Sequence, residues 1–145
     1  MNSAREQRLL DSVPTGLLIG GQWRDSTSGE RFAVEDPATG KTLTTVADAS
    51  VVDAKAALDA AAAVQREWAA SSPRTRGEIL RRAFEAVHAR ADDFALLMTL
   101  EMGKALAESR AEVNYGAEFL RWSARRRSAS TAATRRHPTA AHGCW

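Results

Sequence analysis

Few side chains in this sequence are of the types that carry out chemistry, and they are scattered. The one cysteine is Cys144, next to the last residue, and the histidines are His88, His137 and His142. A cysteine nucleophile needs a base or a positive environment to stabilise its thiolate, and a zinc site needs several ligands at regular spacing. His88 has no second histidine at such a spacing, and no patterned segment surrounds Cys144. We therefore predict no catalytic residue and no metal-binding residue in this chain.

Arginines at the C-terminal end could attract a negatively charged partner. No acidic residue follows Glu118, and the segment after Trp122 contains Arg125, Arg126, Arg127, Arg135 and Arg136. Such a run binds nucleic acid or acidic lipid through charge alone, without specificity. No aromatic residue lies among these arginines to stack on bases, since the next one is Trp145. We expect no specific nucleic-acid partner and no membrane partner.

Length and composition are those of an ordinary soluble domain. The chain has 145 residues, of which 44% are hydrophobic and 26% are charged, and its formal net charge is +2. No stretch approaches the roughly 20 consecutive apolar residues of a membrane span. The first ten residues are polar with mixed charge, unlike a signal peptide, and a single cysteine cannot form an internal disulfide. We expect one domain, located in the cytoplasm.

The elements that would position any site begin with a small β layer. The sequence LLIGGQW, residues 17–23, predicts a hairpin because Gly20 and Gly21 can adopt the positive φ angles of a tight turn. The polar cluster DSTSGE, residues 25–30, predicts a second turn.

Two further strands are predicted on either side of a reversal. Phe32 and Val34 alternate with polar or small residues, as in a half-buried strand, and residues 42–46 form the next strand. Between them lies DPATG, residues 36–40, whose proline fixes its own φ and whose final Gly40 can close a turn.

From residue 50 the pattern changes to helices. Ser50 can cap a helix that begins at Val51, and Asp53 lies near the positive end of its dipole. Ser72 and Pro73 mark a second start, because serine suits the cap and proline suits the first helical position.

A third and a fourth helix complete the pattern. The third helix is expected to end at Met102, where Gly103 can adopt a left-handed conformation. The fourth is expected from Lys104 or Ala105 to Trp122, after which the apolar period disappears.

Apolar residues at helical spacing predict packed faces. In the first of these helices the apolar stripe consists of Val52, Ala56, Ala60, Val64 and Trp68. We expect this stripe to pack on a neighbour, and we expect the aromatic side chains of the helices to lie in a core or an interface rather than against a cofactor. These aromatic residues are Trp68, Phe84, Phe119 and Trp122.

Two charged clusters have both a structural and a functional interpretation. Glu101, Gly103 and Lys104 form a cluster that we interpret as a helix end rather than as catalytic machinery. Arg110 and Glu112 fit either a solvated face or ion pairs to a segment that this chain lacks.

Four stretches occur in the order found in one enzyme family. They are GGQW at residues 20–23, DPATGK at 36–41, WAASSPRTR at 68–76 and EMGKALAESRAEV at 101–113. Together they resemble the N-terminal region of NAD(P)-dependent aldehyde dehydrogenases, and residues 100–122 are similar to the succinate-semialdehyde dehydrogenases in particular. The resemblance covers about residues 16–122.

The resemblance implies an α/β fold: a small β layer followed by about four helices of the Rossmann-like cofactor domain, with that domain incomplete. It implies oxidation of an aldehyde, with succinate semialdehyde favoured, to the carboxylic acid by NAD or NADP. The catalytic cysteine, the glutamate base and the phosphate-contacting loop of the family have no counterpart here, and Cys144 does not match the nucleophile's motif. We expect the chain alone to be inactive and to bind neither cofactor well. The resemblance also implies a homo-oligomer, which the family commonly forms. At position 36 the family usually has asparagine, whereas this chain has aspartate.

The expected organisation is a disordered segment at residues 1–15, the dehydrogenase region at 16–123 and a disordered basic tail at 124–145. The family continues after FLRW with an acidic stretch and a glycine-containing strand, unlike this tail. Restoring one base just after Ala124 permits the reading EEAVRIDGGYATAPDGGARLL, which is similar to the family's continuation. We hypothesise that the residues after Ala124 are out-of-frame translation, which resequencing would test.

A hypothesis from a different class stays open. The chain could be a non-catalytic interaction module that assembles with a dehydrogenase subunit or that uses its basic tail on an acidic partner. Co-purification with a full-length subunit would support assembly, and salt-sensitive retention on DNA would support a role for the tail.

Overall fold

The computed structural model describes residues 3–133. The described elements, in chain order, are α1 (Ala4–Ser12), β1 (Leu17–Ile19), β2 (Gln22–Arg24), β3 (Arg31–Asp36), β4 (Lys41–Ala47), α2 (Val51–Ala70), α3 (Pro73–Ala89), α4 (Ala91–Met102) and α5 (Leu106–Ala133). The fold is α/β: short strands occupy residues 17–47, and long helices follow. This confirms the expected fold class.

β1 and β2 form a hairpin with a two-residue turn. The strands pair antiparallel, with Leu18 opposite Trp23. Gly20 and Gly21 occupy the turn with φ angles of 60° and 80°, which glycine adopts without steric cost. The predicted hairpin is therefore confirmed, although Leu18 and Trp23 are 57% and 55% exposed, so the hairpin presents an open apolar surface.

β3 and β4 form a second antiparallel pair. Phe32 lies opposite Val46, and the register shifts between Val34 and Glu35. The Ala47 N–H donates to the carbonyl oxygen of Thr15 at 2.9 Å, which ties the end of β4 to the segment before β1. The β layer therefore consists of two hairpins held side by side rather than one continuous sheet.

The turn between β3 and β4 depends on Asp36. Its carboxylate accepts a hydrogen bond from the Ala38 N–H at 2.9 Å and one from the Thr39 hydroxyl at 2.7 Å. The Gly40 N–H donates to the Asp36 carbonyl oxygen at 2.7 Å, and Gly40 has a φ of 67°. The Thr39 hydroxyl, followed by the Ala38 N–H, holds the pKa of Asp36 below its ordinary value. Aspartate thus makes the turn expected at this position.

Serine side chains cap the N-termini of α2 and α3, the first two helices of the helical layer. The Ser50 hydroxyl accepts from the Asp53 N–H at 3.3 Å, and the Ser72 hydroxyl accepts from the Thr75 N–H at 3.0 Å. Pro73 follows directly as the first residue of α3. Both predicted helix starts are confirmed, since a hydroxyl satisfies one of the first helical N–H groups that otherwise lack a partner.

The apolar stripe predicted on α2 does not pack as expected. Ala56 and Ala60 are half-buried, but Val52, Val64 and Trp68 are 65%, 57% and 48% exposed. The β1–β2 hairpin lies against the first half of α2, whereas residues 61–70 are exposed throughout. The helical period itself is confirmed, but the spacing of apolar residues does not specify how far a neighbouring element extends along α2.

Small side chains form the core between α3, α4 and α5. Ala95 and Ala117 are 0% and 4% exposed, and Gly77 is buried on α3. The hydroxyls of Thr99 and Ser109 lie 2.9 Å apart in a hydrogen bond between α4 and α5. Such residues let the helices approach closely, and they leave little room for aromatic side chains in the core.

The aromatic residues predicted for a core or an interface lie outside this core. Trp68, Phe119 and Trp122 are 48%, 56% and 56% exposed, and Phe84 is half-buried. The core interpretation is therefore wrong for the first three, while the interface interpretation stays a prediction.

The structure also differs from the expected disorder at residues 1–15 and after residue 123. Residues 4–12 form α1, because the Ser3 hydroxyl and the Glu6 carboxylate cap its start reciprocally. α5 continues past Trp122 to Ala133, through alanines and arginines that favour helix, and the Arg126 guanidinium lies 4.6 Å from the centroid of the Trp122 ring. Residues 134–145, on which much of the reading-frame hypothesis rests, lie outside the described residues.

α2 and α5 are the two longest helices in the described part of the chain. α2 has 20 residues and α5 has 28. Within residues 3–133, no helix combines the length and the apolar character that crossing a membrane requires.

Candidate functional site

Asp53 is the centre of a buried network that joins α2 to the loop after β2. Its side chain is 1% exposed. Its Oδ2 accepts from the Ser26 hydroxyl at 2.9 Å, from the Thr27 N–H at 3.1 Å and from the Ser50 N–H at 3.0 Å. The Nη2 of Arg24 lies 3.9 Å from its Oδ1. One carboxylate therefore fixes the loop, the helix cap and the end of β2 together.

The surroundings of Asp53 keep it ionised. The Ser50 hydroxyl is the largest cause of a pKa held well below the ordinary value, and the Ser50 and Thr27 N–H groups act in the same direction. Burial opposes this effect but does not outweigh it. A carboxylate with such a low pKa does not exchange protons near neutral pH. Asp53 is therefore an anchor rather than an acid or a base.

The DPATGK and EMGK motifs meet in space. Gly103 ends α4 with a φ of 70°, which confirms the predicted helix end. A Cβ built on Gly103 would lie 2.9 Å from Cγ of Pro37, in the turn between β3 and β4. Both the backbone conformation and the available space therefore require glycine, and this contact connects the helical layer to the β layer.

The charged residues that surround this helix end are paired within the described chain. Lys104 forms an ion pair with Glu112, and Nε of Arg110 donates to Oδ1 of Asp92 at 2.9 Å. Arg110 and Glu112 are both exposed, which agrees with the interpretation as a solvated face, and their ion pairs are formed within the described chain rather than with a missing segment. Glu101 is exposed at the end of α4. These contacts orient α5 against α4, and nothing in them resembles a nucleophile beside its base.

Alternating acidic and basic side chains form a row along the surface of α3. The guanidinium of Arg81 binds Glu78 at 2.7 Å and also pairs with Glu85, and Arg82 contacts Glu78 at 3.2 Å. The hydrogen bond from Arg81 lowers the pKa of Glu78 to about 2. A cavity of about 610 Å³ lies between α3 and α5, lined by Arg74, Gly77, Glu78, Arg81, Phe84, Glu85, Arg121, Ala124 and Arg125. Its glutamates are already paired, so this row is an ion-pair network.

Arg76 connects the end of α2 to α3. Its Nη1 donates to the carbonyl oxygen of Ala69 at 3.2 Å and to that of Ser71. These carbonyl groups lie at the end of α2, where backbone acceptors lack helical partners and carry the negative end of the dipole. Arg76 therefore acts as a side-chain cap supplied by the next helix.

The largest aromatic surface of the helical layer lies on α5. Tyr115, Phe119 and Trp122 are 67%, 56% and 56% exposed, and we call this set the aromatic face of α5. The Tyr115 and Phe119 rings pack edge to face with centroids 5.1 Å apart. Beside this face lies a cavity of about 400 Å³ lined by Val87, Phe94, Met98, Glu112, Val113, Tyr115, Gly116, Ala117, Phe119 and Leu120. An apolar surface that joins a concave cavity is suited to packing, not to proton or hydride transfer.

Of the histidines and the cysteine, His88 alone lies within residues 3–133. His88 stacks against Phe84 with ring centroids 5.8 Å apart. No group of three or more histidine, cysteine, aspartate or glutamate residues within residues 3–133 could hold a metal ion. Cys144, His137 and His142 lie outside the described residues, and so do Arg135 and Arg136.

The nicotinamide cofactor implied by the resemblance does not fit the described residues. A dinucleotide site needs a parallel strand, a glycine-rich turn and a helix N-terminus that faces the pyrophosphate. The described strands pair antiparallel in two hairpins, and the connection from β4 to α2 is Asp48, Ala49 and Ser50, without a glycine. No step of a redox reaction is therefore assigned to these residues.

The sequence is similar to those of known enzymes. The model of the aldehyde dehydrogenase family matches residues 23–143. The chain is 68% identical over 80 residues to the succinate-semialdehyde dehydrogenase of Paenarthrobacter nicotinovorans, covering 55% of this chain and 18% of that enzyme. It is 41% identical over 105 residues to the NADP(+) succinate-semialdehyde dehydrogenase of Escherichia coli, covering 72% of this chain and 22% of that enzyme. The chain thus spans about a fifth of the length of these curated relatives.

The solved structures agree. An aldehyde dehydrogenase from Brucella melitensis superposes with a TM-score of 0.78 at 40% identity. The superposition covers 86% of this chain and 25% of the Brucella chain. The hairpins and helices described above therefore have the arrangement found in about a quarter of a longer polypeptide.

Proposed function

The chain belongs to the aldehyde dehydrogenase family, and on that premise we propose that it supplies the N-terminal hairpins and helices of an NAD(P)-dependent enzyme that oxidises succinate semialdehyde to succinate. The observation that carries the proposal is the 68% identity over 80 residues to a succinate-semialdehyde dehydrogenase. A relative at 41% identity, whose name gives NADP(+), supports a nicotinamide cofactor for the whole enzyme.

The role proposed for these residues is architectural. Asp53 fixes α2 to the loop after β2, and Gly103 brings α4 against the β3–β4 turn. Both residues hold backbone elements at a defined distance. We assign catalysis and cofactor binding to parts of the enzyme that correspond to no described residue here, and we expect the 145-residue chain by itself to be inactive.

The first test measures the chain alone. The purified chain is incubated with succinate semialdehyde and with NAD or NADP, and formation of the reduced nicotinamide is followed by absorbance. We expect a rate equal to that of the buffer control. Turnover in proportion to the concentration of the chain would show that it contains a complete active site.

The second test places the chain in an enzyme. The region of the Paenarthrobacter nicotinovorans enzyme that the chain matches is replaced by the corresponding residues of this chain, in one continuous polypeptide. We expect a folded chimera that oxidises succinate semialdehyde at a rate within about tenfold of the parent enzyme. A folded chimera without activity would remove the proposal.

A further inference from the structure

The cavity of about 610 Å³ between α3 and α5 is open because small residues line it from both helices. Gly77 on α3 and Ala124 on α5 are both buried. Glycine has no side chain and alanine has only a methyl group, so neither position fills the space between the helices. Ligand pockets in proteins have volumes of about 300–1,000 Å³. The cavity is therefore large enough for a small ligand.

Arginine side chains line this cavity from both helices. Arg74 belongs to α3, whereas Arg121 and Arg125 belong to α5. The Cζ atom of Arg121 lies 5.6 Å from the centroid of the Phe84 ring, which also lines the cavity. An aromatic ring attracts a guanidinium group to its face, so Phe84 helps to hold Arg121 in place. Cationic groups on two separate elements thus share one space.

The glutamates of the cavity are neutralised by other arginines. Glu78 and Glu85 both pair with Arg81. Glu78 also contacts Arg82 at 3.2 Å. These carboxylates therefore do not cancel the charges of the arginines named above.

The cavity keeps a surplus of positive charge. Nη2 of Arg121 lies 2.5 Å from Oε2 of Glu118, so this arginine has a carboxylate partner. Within the described part of the chain, neither Arg74 nor Arg125 forms an ion pair. Two arginines of the cavity thus have no carboxylate to balance them, which favours an anionic ligand.

The start of α3 adds to the positive potential. Pro73 is the first residue of this helix, Arg74 follows it, and the first turn holds no acidic side chain. The N-terminus of a helix carries a partial positive charge, which an acidic side chain in the first turn would offset. The helix and the Arg74 guanidinium therefore act in the same direction.

The positions of the arginines suit a phosphate group better than a carboxylate. A carboxylate presents two oxygens in one plane, whereas a phosphate group presents at least three acceptor oxygens around its phosphorus. Guanidinium groups on two helices can therefore bind different oxygens of one phosphate.

We infer that the cavity between α3 and α5 binds a small phosphate-bearing ligand through Arg74, Arg121 and Arg125. The bound anion bridges the two helices and stabilises their packing. The inference goes beyond the proposed function and does not depend on it, because binding is measured without turnover. An inactive chimera would leave this site standing, and failure to bind phosphate would leave the proposed function standing.

The test measures binding of inorganic pyrophosphate to the whole 145-residue chain by isothermal titration calorimetry at an ionic strength of about 0.15 M. The expected result is one ion per chain with a dissociation constant below about 1 mM. Succinate, a dicarboxylate, is expected to bind at least about tenfold more weakly. Absence of pyrophosphate binding overturns the inference, and so does succinate binding of equal or higher affinity.

Two matched variants distinguish the cavity from general attraction to a basic protein. Arg74→Gln removes a charge from the cavity, and Arg8→Gln removes the same charge from an exposed position on α1, which packs against α4. We expect Arg74→Gln to weaken pyrophosphate binding at least about fivefold and Arg8→Gln to change it less than about twofold. Equal weakening by both variants overturns the inference.

A second pair of variants keeps every charge. Ala124→Leu places a larger apolar side chain at the cavity, and Ala111→Leu places the same side chain at an exposed position of α5. We expect Ala124→Leu to weaken binding at least about tenfold and Ala111→Leu to leave it unchanged. Circular dichroism verifies the fold of each variant. Full affinity in folded Ala124→Leu overturns the inference, and if that variant does not fold, the Arg74→Gln comparison decides.

Discussion

Gly103, the residue that ends α4, lies directly against Pro37 in the turn between β3 and β4. A Cβ on Gly103 would lie 2.9 Å from Cγ of the proline ring, and the glycine has a φ of 70°. A single position thus stops a helix, avoids a steric clash and joins the two layers of the fold. The contact connects segments that are distant in sequence.

Replacing Gly103 by alanine is expected to destabilise the chain by about 1–2 kcal/mol, because an L residue is strained at positive φ and the added methyl group meets Pro37. Gly116→Ala is the matched control, since Gly116 is helical and has open space around its Cβ position. That substitution is expected to stabilise α5 by up to about 1 kcal/mol. Urea denaturation measures both, and equal effects of the same sign would contradict this account.

Asp53→Asn is expected to lower the urea midpoint more than Asp59→Asn does. All the groups around Asp53 Oδ2 donate hydrogen bonds to it, including the Ser26 hydroxyl and the Thr27 N–H, so an amide NH₂ at that position would face other donors. Asp59 is exposed on the same helix and tests the general effect of removing a carboxylate. If the two midpoints are equal, the buried network does not hold α2.

The stability of the chain is expected to fall in acid. The pKa of Asp53 lies well below its unfolded value of about 3.9, mainly because of the Ser50 hydroxyl. At pH values between the two pKa values the unfolded state binds the proton more readily, so the contribution is present above about pH 5 and is lost as the pH falls toward the folded pKa. Glu78, with its pKa lowered to about 2 by Arg81, acts in the same direction.

Melting temperatures at pH 7, 5, 4 and 3 measure this effect. The decline should be smaller in Asp53→Asn than in the unmodified chain, and smaller again when Glu78→Gln is added. A decline of the same size in the double variant would assign the acid sensitivity to other carboxylates.

Arg76→Ala is expected to cost about 1–2 kcal/mol, because its guanidinium satisfies carbonyl groups at the end of α2. Arg110→Ala is expected to cost less than about 0.5 kcal/mol, since its pair with Asp92 is exposed and screened by solvent. Chemical denaturation of the two variants distinguishes a helix cap from a surface ion pair. A larger loss for Arg110→Ala would reverse the roles assigned to them.

Local chemistry explains which parts of the fold could be predicted from the sequence. The turn at Gly20 and Gly21, the cap at Ser50 and the stop at Gly103 depend on neighbouring residues, and all three are confirmed. The contact of Asp53 with Ser26 spans 27 positions and depends on how the hairpin meets α2, which no local pattern specifies. The capping pattern of Ser3 and Glu6 at the start of α1 is also local, and it predicts a helix where disorder is expected from the polar composition.

The exposure of the aromatic face of α5 is a second feature that the sequence does not predict. Tyr115, Phe119 and Trp122 share one side of the predicted helix, which sequence spacing establishes. Their exposure depends on which elements are present to cover them, and periodicity alone does not distinguish a covered side from an open one.

Side-chain hydrogen bonds hold both ends of α2, and the second half of the helix is exposed to solvent. Asp53 holds the first turn, Arg76 holds the last carbonyl groups, and residues 61–70 are exposed. Helices ordinarily fray from their ends inward, so their terminal amides exchange hydrogen with the solvent first. With both ends tethered, α2 should open from the middle instead, and the earliest deuterium uptake should appear around Ala62 and Ala63 rather than at Ala69 and Ala70.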